Sequence, residues 1–241
     1  MKINFQFLLF IGCILFFFSC KKDSYDPPSS SFTGKITYQG TPVYVKSNNN
    51  VYFELWQSGF GRTGAIGVPI TQEGTFSALL FNGSNYKLVI PKAQGPFMSL
   101  TNTTTNSDTI PIVINGNTTM NIEVLPYYML SNPTFALAKD STVSGSCKLQ
   151  KIITNTNAKD IEYVAIYVNR TSFVDNDNQI ANVSMSGASI TDMNNVSFKT
   201  KIPTTITNIG SGGQSYFYAR IGVKIVGVED MLYSAVQQIQ F

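Results

Sequence analysis

From Phe32 onward, runs rich in Val, Ile, Thr, Tyr and Phe alternate with clusters of Gly, Asn, Ser and Pro, and no segment keeps a helical period. Such a chain can bury apolar surface only by stacking short strands face to face, as a sandwich or barrel. In the first half the pattern predicts strands at 33–38, 50–57, 75–81, 86–90, 109–114 and 118–125. Turn signals separate them at Gln39-Gly40-Thr41-Pro42, Glu73-Gly74, Asn82-Gly83-Ser84-Asn85 and Asn115-Gly116-Asn117. Leu125-Pro126-Tyr127-Tyr128 marks a boundary, because proline removes a ladder donor. The second half repeats the style, with strands predicted at 133–139, 144–153, 161–169, 195–202, 216–228 and 233–241.

The phase of the strands carries further information. Phe217, Ala219, Ile221, Val223 and Ile225 share one phase and are expected to face a core, with Tyr216, Tyr218, Arg220 and Lys224 on the other. This stretch, followed by Gly227, Asp230 and Ser234-Ala235-Val236, looks like the closing hairpin of a fibronectin-type-III-like sandwich. A carboxyl-terminal Phe241 also suits an outer-membrane barrel. Barrel strands need ~9–11 residues and an apolar outward band, whereas most of these strands are shorter and their outward phases polar.

The amino terminus adds an address. Lys2 precedes the apolar run 7–18, which ends at Ser19-Cys20-Lys21-Lys22-Asp23. The order is that of a secretory signal, and the run is shorter than the ~20 residues a membrane-spanning helix needs. A small residue before Cys20 resembles a bacterial lipobox, although Phe17 and Phe18 depart from its usual form. The expectation is a signal peptide over 1–19, then lipidated (palmitate-bearing) Cys20 and a polar tether over 20–31. The first β-sandwich then spans 32–126 and the second 127–241. Acyl chains at ~0.8 kcal/mol per buried CH₂ suffice to hold such a protein on a membrane. Lys-Lys-Asp after the cysteine is similar to the export signal of Bacteroidetes surface lipoproteins, so the expected place is the outer membrane, lipid-anchored and facing the cell surface.

Several chemistries are excluded or disfavoured. The sequence has no histidine, which removes Ser-His-Asp and Cys-His catalysis and histidine-based metal sites. Of three cysteines, Cys13 leaves with the signal and Cys20 carries lipid. Cys147 then stands alone, as core filler rather than nucleophile. Charged residues are 13% of the chain with a net charge of +3, too sparse and scattered for a nucleic-acid partner. No pair among the 14 acidic residues stands in a motif suited to glycoside hydrolysis. We therefore expect no enzyme, no catalytic residue, no metal and no cofactor.

Binding is the remaining class. In Val51-Tyr52-Phe53-Glu54-Leu55-Trp56, an inward Val51, Phe53 and Leu55 leave Tyr52, Glu54 and Trp56 outward. With Phe60 and Arg62 in the following Gly-rich loop, they form a candidate ligand platform. Aromatic faces stack on the C–H faces of sugar rings while polar neighbours take the hydroxyls. The alternative is that this face packs against the second domain or caps the sandwich. Outward Tyr163, Tyr167, Tyr216 and Tyr218 invite the same thought, but strand propensity accounts for them. Asp175-Asn176-Asp177-Asn178 offers oxygens to calcium but lacks the glycine and distal glutamate of an EF-hand loop. It reads as a polar turn. Ser141 and Thr109, each after an aspartate, resemble a short O-glycosylation motif of Bacteroidetes, with Ser141 the better placed.

The segments YQGTPV (38–43), ELWQSGFG (54–61), GTFSALLFNG (74–83) and DTIP (108–111) resemble a Bacteroidetes lipoprotein family that carries only a domain-of-unknown-function label. The resemblance implies an all-β chain of two sandwiches in tandem. The first is like the prealbumin-like regulatory domain of carboxypeptidases, the second immunoglobulin/fibronectin-III-like. It also implies an accessory role beside SusC/SusD-like outer-membrane uptake proteins, with an oligosaccharide as ligand. The competing expectation is a structural or docking lipoprotein that contacts another envelope protein.

Overall fold

The computed structural model describes residues 26–46, 50–57, 64–203 and 215–240. The expected signal peptide, Cys20, Phe60, Arg62 and Phe241 lie outside the described residues. The first half contains β1 (Ser30–Tyr38), β2 (Thr41–Pro42), β3 (Tyr52–Gln57), β4 (Ile66–Pro69), β5 (Thr75–Leu80), β6 (Ser84–Val89), β7 (Phe97–Ser99), β8 (Ile110–Ile114), β9 (Thr118–Thr119) and β10 (Ile122–Pro126). The second contains β11 (Tyr128–Leu137), β12 (Thr142–Lys151), β13 (Ile161–Asn169), β14 (Ala181–Ser186), β15 (Val196–Lys201), β16 (Tyr216–Ile225), β17 (Leu232–Tyr233) and β18 (Gln237–Gln240). Among the described residues the helical content is a single short turn, Gly187–Ser189. The chain is all-β, two sandwich domains in tandem.

In the first sandwich, one sheet is built around β1, which pairs with β2, β5, β9 and β10, while β7 extends it beyond β10. The other sheet runs β4-β3-β6-β8. Period-two alternation turns Phe32 and Ile36 of β1 toward Phe53 and Leu55 of β3, Leu88 of β6 and Ile112 and Ile114 of β8, all buried. Phe76 fills the middle, edge-on to Phe53 with ring centroids 5.0 Å apart. In the second sandwich the sheet β11-β12-β15 faces β14-β13-β16-β17, with β18 also on β16. Val143, Cys147 and Leu149 meet Val164, Ile166, Phe217, Ala219 and Ile221 between them, all buried.

Three departures from the sequence reading have local causes. The strand expected at 118–125 is two, β9 and β10, because the chain lifts at Met120 and Asn121. There Met120 N donates to Thr33 O at 2.9 Å, and Asn121 Oδ1 accepts from Lys35 N at 3.1 Å. Gly34 beneath makes this approach possible: a Cβ on it would lie 1.9 Å from the Met120 carbonyl oxygen. The last expected strand, 233–241, also divides into β17 and β18. Ser234 between them turns its carbonyl to Arg220 Nε at 2.9 Å. The strand expected at 216–228 stops at Ile225, just before Gly227 turns the chain at φ 66°. Strands β4, β7 and β14 were not anticipated, and β11 starts at Tyr128 rather than near residue 133.

The larger correction concerns the joint. Arg220 and Tyr167, read as outward-facing, are 0% and 4% exposed. Their face of the second sandwich is covered by the first. Tyr44 bridges to Tyr233 in antiparallel fashion, and the Glu229 and Asp230 amides donate to the Ala93 and Gln94 carbonyls at 2.8 and 2.9 Å. The Arg220 guanidinium lies 4.5 Å over the Tyr233 ring. It donates to four main-chain oxygens, those of Ser234, Val174, Val45 and Gln72. Tyr163, Tyr216 and Tyr218 are half-buried.

Candidate functional site

The outer face of the β4-β3-β6-β8 sheet carries Tyr52, Glu54 and Trp56 together. Burial of Val51, Phe53 and Leu55 on the opposite phase puts them there. Trp56 is 44% exposed, while Tyr52 and Glu54 are half-buried. The indole Nε1 donates to Glu54 Oε2 at 2.9 Å. That bond orients the ring and leaves the second carboxylate oxygen for another donor. The sheet face, rather than the domain joint, is therefore the setting of Trp56.

Register supplies neighbours that spacing alone did not reveal. Trp56 stands opposite Lys87 of β6, and Lys87 opposite Pro111 of β8, a row of three across the sheet. Asn85 pairs with Val113 in the adjacent row, and Val113 is 58% exposed. A groove of about 350 Å³ runs between Trp56, Gln57, Asn85, Lys87, Pro111 and Val113. Gly67 opposes Glu54 on the other side, and among the described residues its ideal Cβ would meet only Tyr52 Cδ2, at 3.9 Å. The result is an open aromatic and aliphatic floor with a carboxylate, an ammonium and an amide at its rim. Such a surface stacks a ring with an apolar face and hydrogen-bonds its hydroxyls. Lys87 falls in the strand expected at 86–90, whereas Asn85, expected in the preceding turn, belongs to β6, and nothing in the sequence set the pairing of that strand with β3.

The remaining candidates are placed as follows. Phe60 and Arg62 lie outside the described residues. Thr109 immediately precedes β8, its amide donating to Ser107 Oγ at 3.1 Å. Ser141 occupies the β11–β12 hairpin turn at φ 63°, flanked by an Asp140 carboxylate that accepts from the Thr142 amide and hydroxyl. Asp175 is fully buried and accepts from the amides of Asp177 and Asn178 and from the Asn178 side chain. Those bonds close a polar turn around its carboxylate. Among the described residues no group of three or more Cys, Asp or Glu is arranged to hold a metal ion, and no helix is long and apolar enough to cross a membrane.

Fold and surface together define a class: a two-domain, all-β protein whose most distinctive accessible feature is an aromatic sheet face. Family models place it further. Residues 30–125 match the N-terminal domain of the protein family of unknown function DUF3823, and residues 128–238 match the domain of unknown function DUF3823_C. The chain belongs to the DUF3823 family. Among solved structures it is similar to a family member from Bacteroides ovatus, at 30% identity and a TM-score of 0.75, covering 88% of this chain and 99% of that one. A member from Parabacteroides merdae gives 28% identity and a TM-score of 0.74, covering 89% and 100%. A Bacteroides uniformis protein named as a candidate for carbohydrate binding shares the fold at 14% identity and a TM-score of 0.68, over 89% and 100% of the two chains. A search of curated proteins finds no match.

Proposed function

We propose that this protein is a non-catalytic saccharide-capturing lipoprotein, held by Cys20 at the outer-membrane surface as an accessory to a SusC/SusD-like uptake system. The observation that carries the binding part is the exposed Trp56, oriented by Glu54 and rowed with Lys87 and Pro111 on an open sheet face. The fold shared with the carbohydrate-binding candidate of Bacteroides uniformis is consistent with it. The absence of histidine from the sequence supports a role in binding rather than turnover. The lipobox-like Ser19-Cys20 and the polar segment after it support the anchor and the tether.

A glycan array probed with the body from Asp26 to Phe241 tests this reading. We expect one or more neutral oligosaccharides to bind, and Trp56→Ala to weaken them about tenfold or more, the size of a lost stacking contact. An array that stays blank for the unaltered protein, together with co-purification of an envelope protein, would replace the reading with the docking lipoprotein.

A further inference from the structure

A second cleft, separate from the Trp56 groove, opens where the two sandwiches meet. It measures about 430 Å³, within the ~300–1,000 Å³ of ordinary ligand sites, which favour domain junctions. The first domain contributes the segment after β6 with Lys92, strand β7 with Ser99, and Asp108 before β8. The interdomain residue Tyr127 and the segment Thr156–Lys159 complete it. Neither domain alone holds the whole wall.

The walls are held firmly. Ala93, at φ 61°, adopts a backbone conformation that a non-glycine residue takes only at a cost. Its carbonyl is fixed by the Glu229 amide at 2.8 Å. Tyr127 N donates to Pro96 O at 3.1 Å, and Tyr128 Oη holds the Lys159 carbonyl at 3.0 Å. Lys159 Nζ stands 5.9 Å from the Tyr127 ring centroid and reaches only the Gly227 carbonyl, at 3.5 Å. The neighbouring Asp160 is engaged by Lys151 at 3.2 Å. Among the described residues neither Lys92 nor Lys159 is in an ion pair. Behind this lining Ser99 Oγ is buried with no hydrogen-bond partner among the described residues, an arrangement that costs ~1–3 kcal/mol.

We propose that this junction cleft binds an acidic saccharide through its carboxylate. Two ammonium groups against one carboxylate leave the lining with an excess of positive charge, suited to a uronate or sialate. Pro91, Met98 and Ala158 provide a partly exposed apolar lining for the sugar, and Asp108 and Asn157 provide partners for its hydroxyls. The site stands independently of the Trp56 reading, since the two clefts share no lining residue.

Calorimetric titration of the Asp26–Phe241 body with tetragalacturonate, a glucuronate oligosaccharide and an N-acetylneuraminate oligosaccharide tests the proposal. The fully methyl-esterified tetragalacturonate and a short polyglutamate serve as comparisons. We expect at least one acidic saccharide to bind, the ester to bind about tenfold more weakly than its acid, and polyglutamate not to compete. The Lys92→Gln/Lys159→Gln protein should keep its melting temperature, lose the acidic ligand about tenfold and lose the acid-over-ester preference. Trp56→Ala should leave this binding unchanged. Absence of binding by all three acids, equal affinity for acid and ester, competition by polyglutamate, or unaltered binding by the double lysine variant would overturn it.

Discussion

Cys147 shows how a single side chain's environment sets its chemistry. It lies on β12, 3% exposed, and burial pushes its thiol up from an ordinary 9.0 to about 12. The thiol is thus proton-bearing and out of reach, where a nucleophile must be exposed and ionised. We expect an aromatic disulfide reagent to leave it unmodified at pH 8 in the native protein, and to modify it fully in denaturant. Rapid modification without denaturant would contradict its placement. The linkage has a definite sign: between pH 9 and 12 the unfolded chain has lost this proton and the native one keeps it. The thiol's contribution to stability is therefore complete below pH 9 and declines as pH rises toward 12. A Cys147→Ala protein should lack that part of the alkaline slope. The role of Cys147 was legible in the sequence, from its being a lone thiol without a histidine. Trp56 was legible too, as the outward phase of β3. Arg220 was not, because alternation states which residues face together and is silent on whether another domain covers that face.

Single strands were legible to within a few residues wherever the chain alternates cleanly, as at 161–169, which matches β13 (Ile161–Asn169). They were lost where main-chain geometry rather than side-chain pattern decides. Strand β14, Ala-Asn-Val-Ser-Met-Ser, offers one β-branched residue and takes its extended form from six pairings with β13. The split between β9 and β10 depends on Gly34, a residue whose strand propensity argues against the central place it holds in β1. Gly34→Ala should drive a methyl into the Met120 carbonyl and part β1 from β9. We expect destabilisation of about 3 kcal/mol, toward the upper end of overpacking costs, read as a lower midpoint in urea. Gly40→Ala in the β1–β2 turn has no atom within 4 Å of its new Cβ and incurs only the left-handed φ of 76°. Equal losses from the two substitutions would refute the steric account of Gly34.

At the scale of the whole molecule, the two sandwiches act as one because a charge is shut between them. The guanidinium of Arg220 is held below its ordinary range, to about 10, by burial, with the neighbouring Tyr233 and Asp175 opposing that shift. It remains a cation at neutral pH, with four of its five donors given to main-chain carbonyls. Arg220→Met keeps the apolar volume and removes the donors. We expect a loss of about 3 kcal/mol and, in scanning calorimetry, the replacement of one cooperative transition by two. A single transition at the unaltered temperature would mean that the joint is held by its tyrosines and Met231 instead. The junction cleft belongs to this scale as well, since its lysines come from different domains. Spacing along the chain carried no sign that Lys92 and Lys159 would line one cleft.

The four oxygens that receive Arg220 are peptide oxygens, common to every amino acid. A coupling read in this way is indifferent to the side chains of the segments that supply it. Substitutions at Val45 and Gln72 on the amino-terminal half leave these acceptors in place. Side chains on the sheet face and along the seam can then vary without removing the acceptors that hold the two halves together.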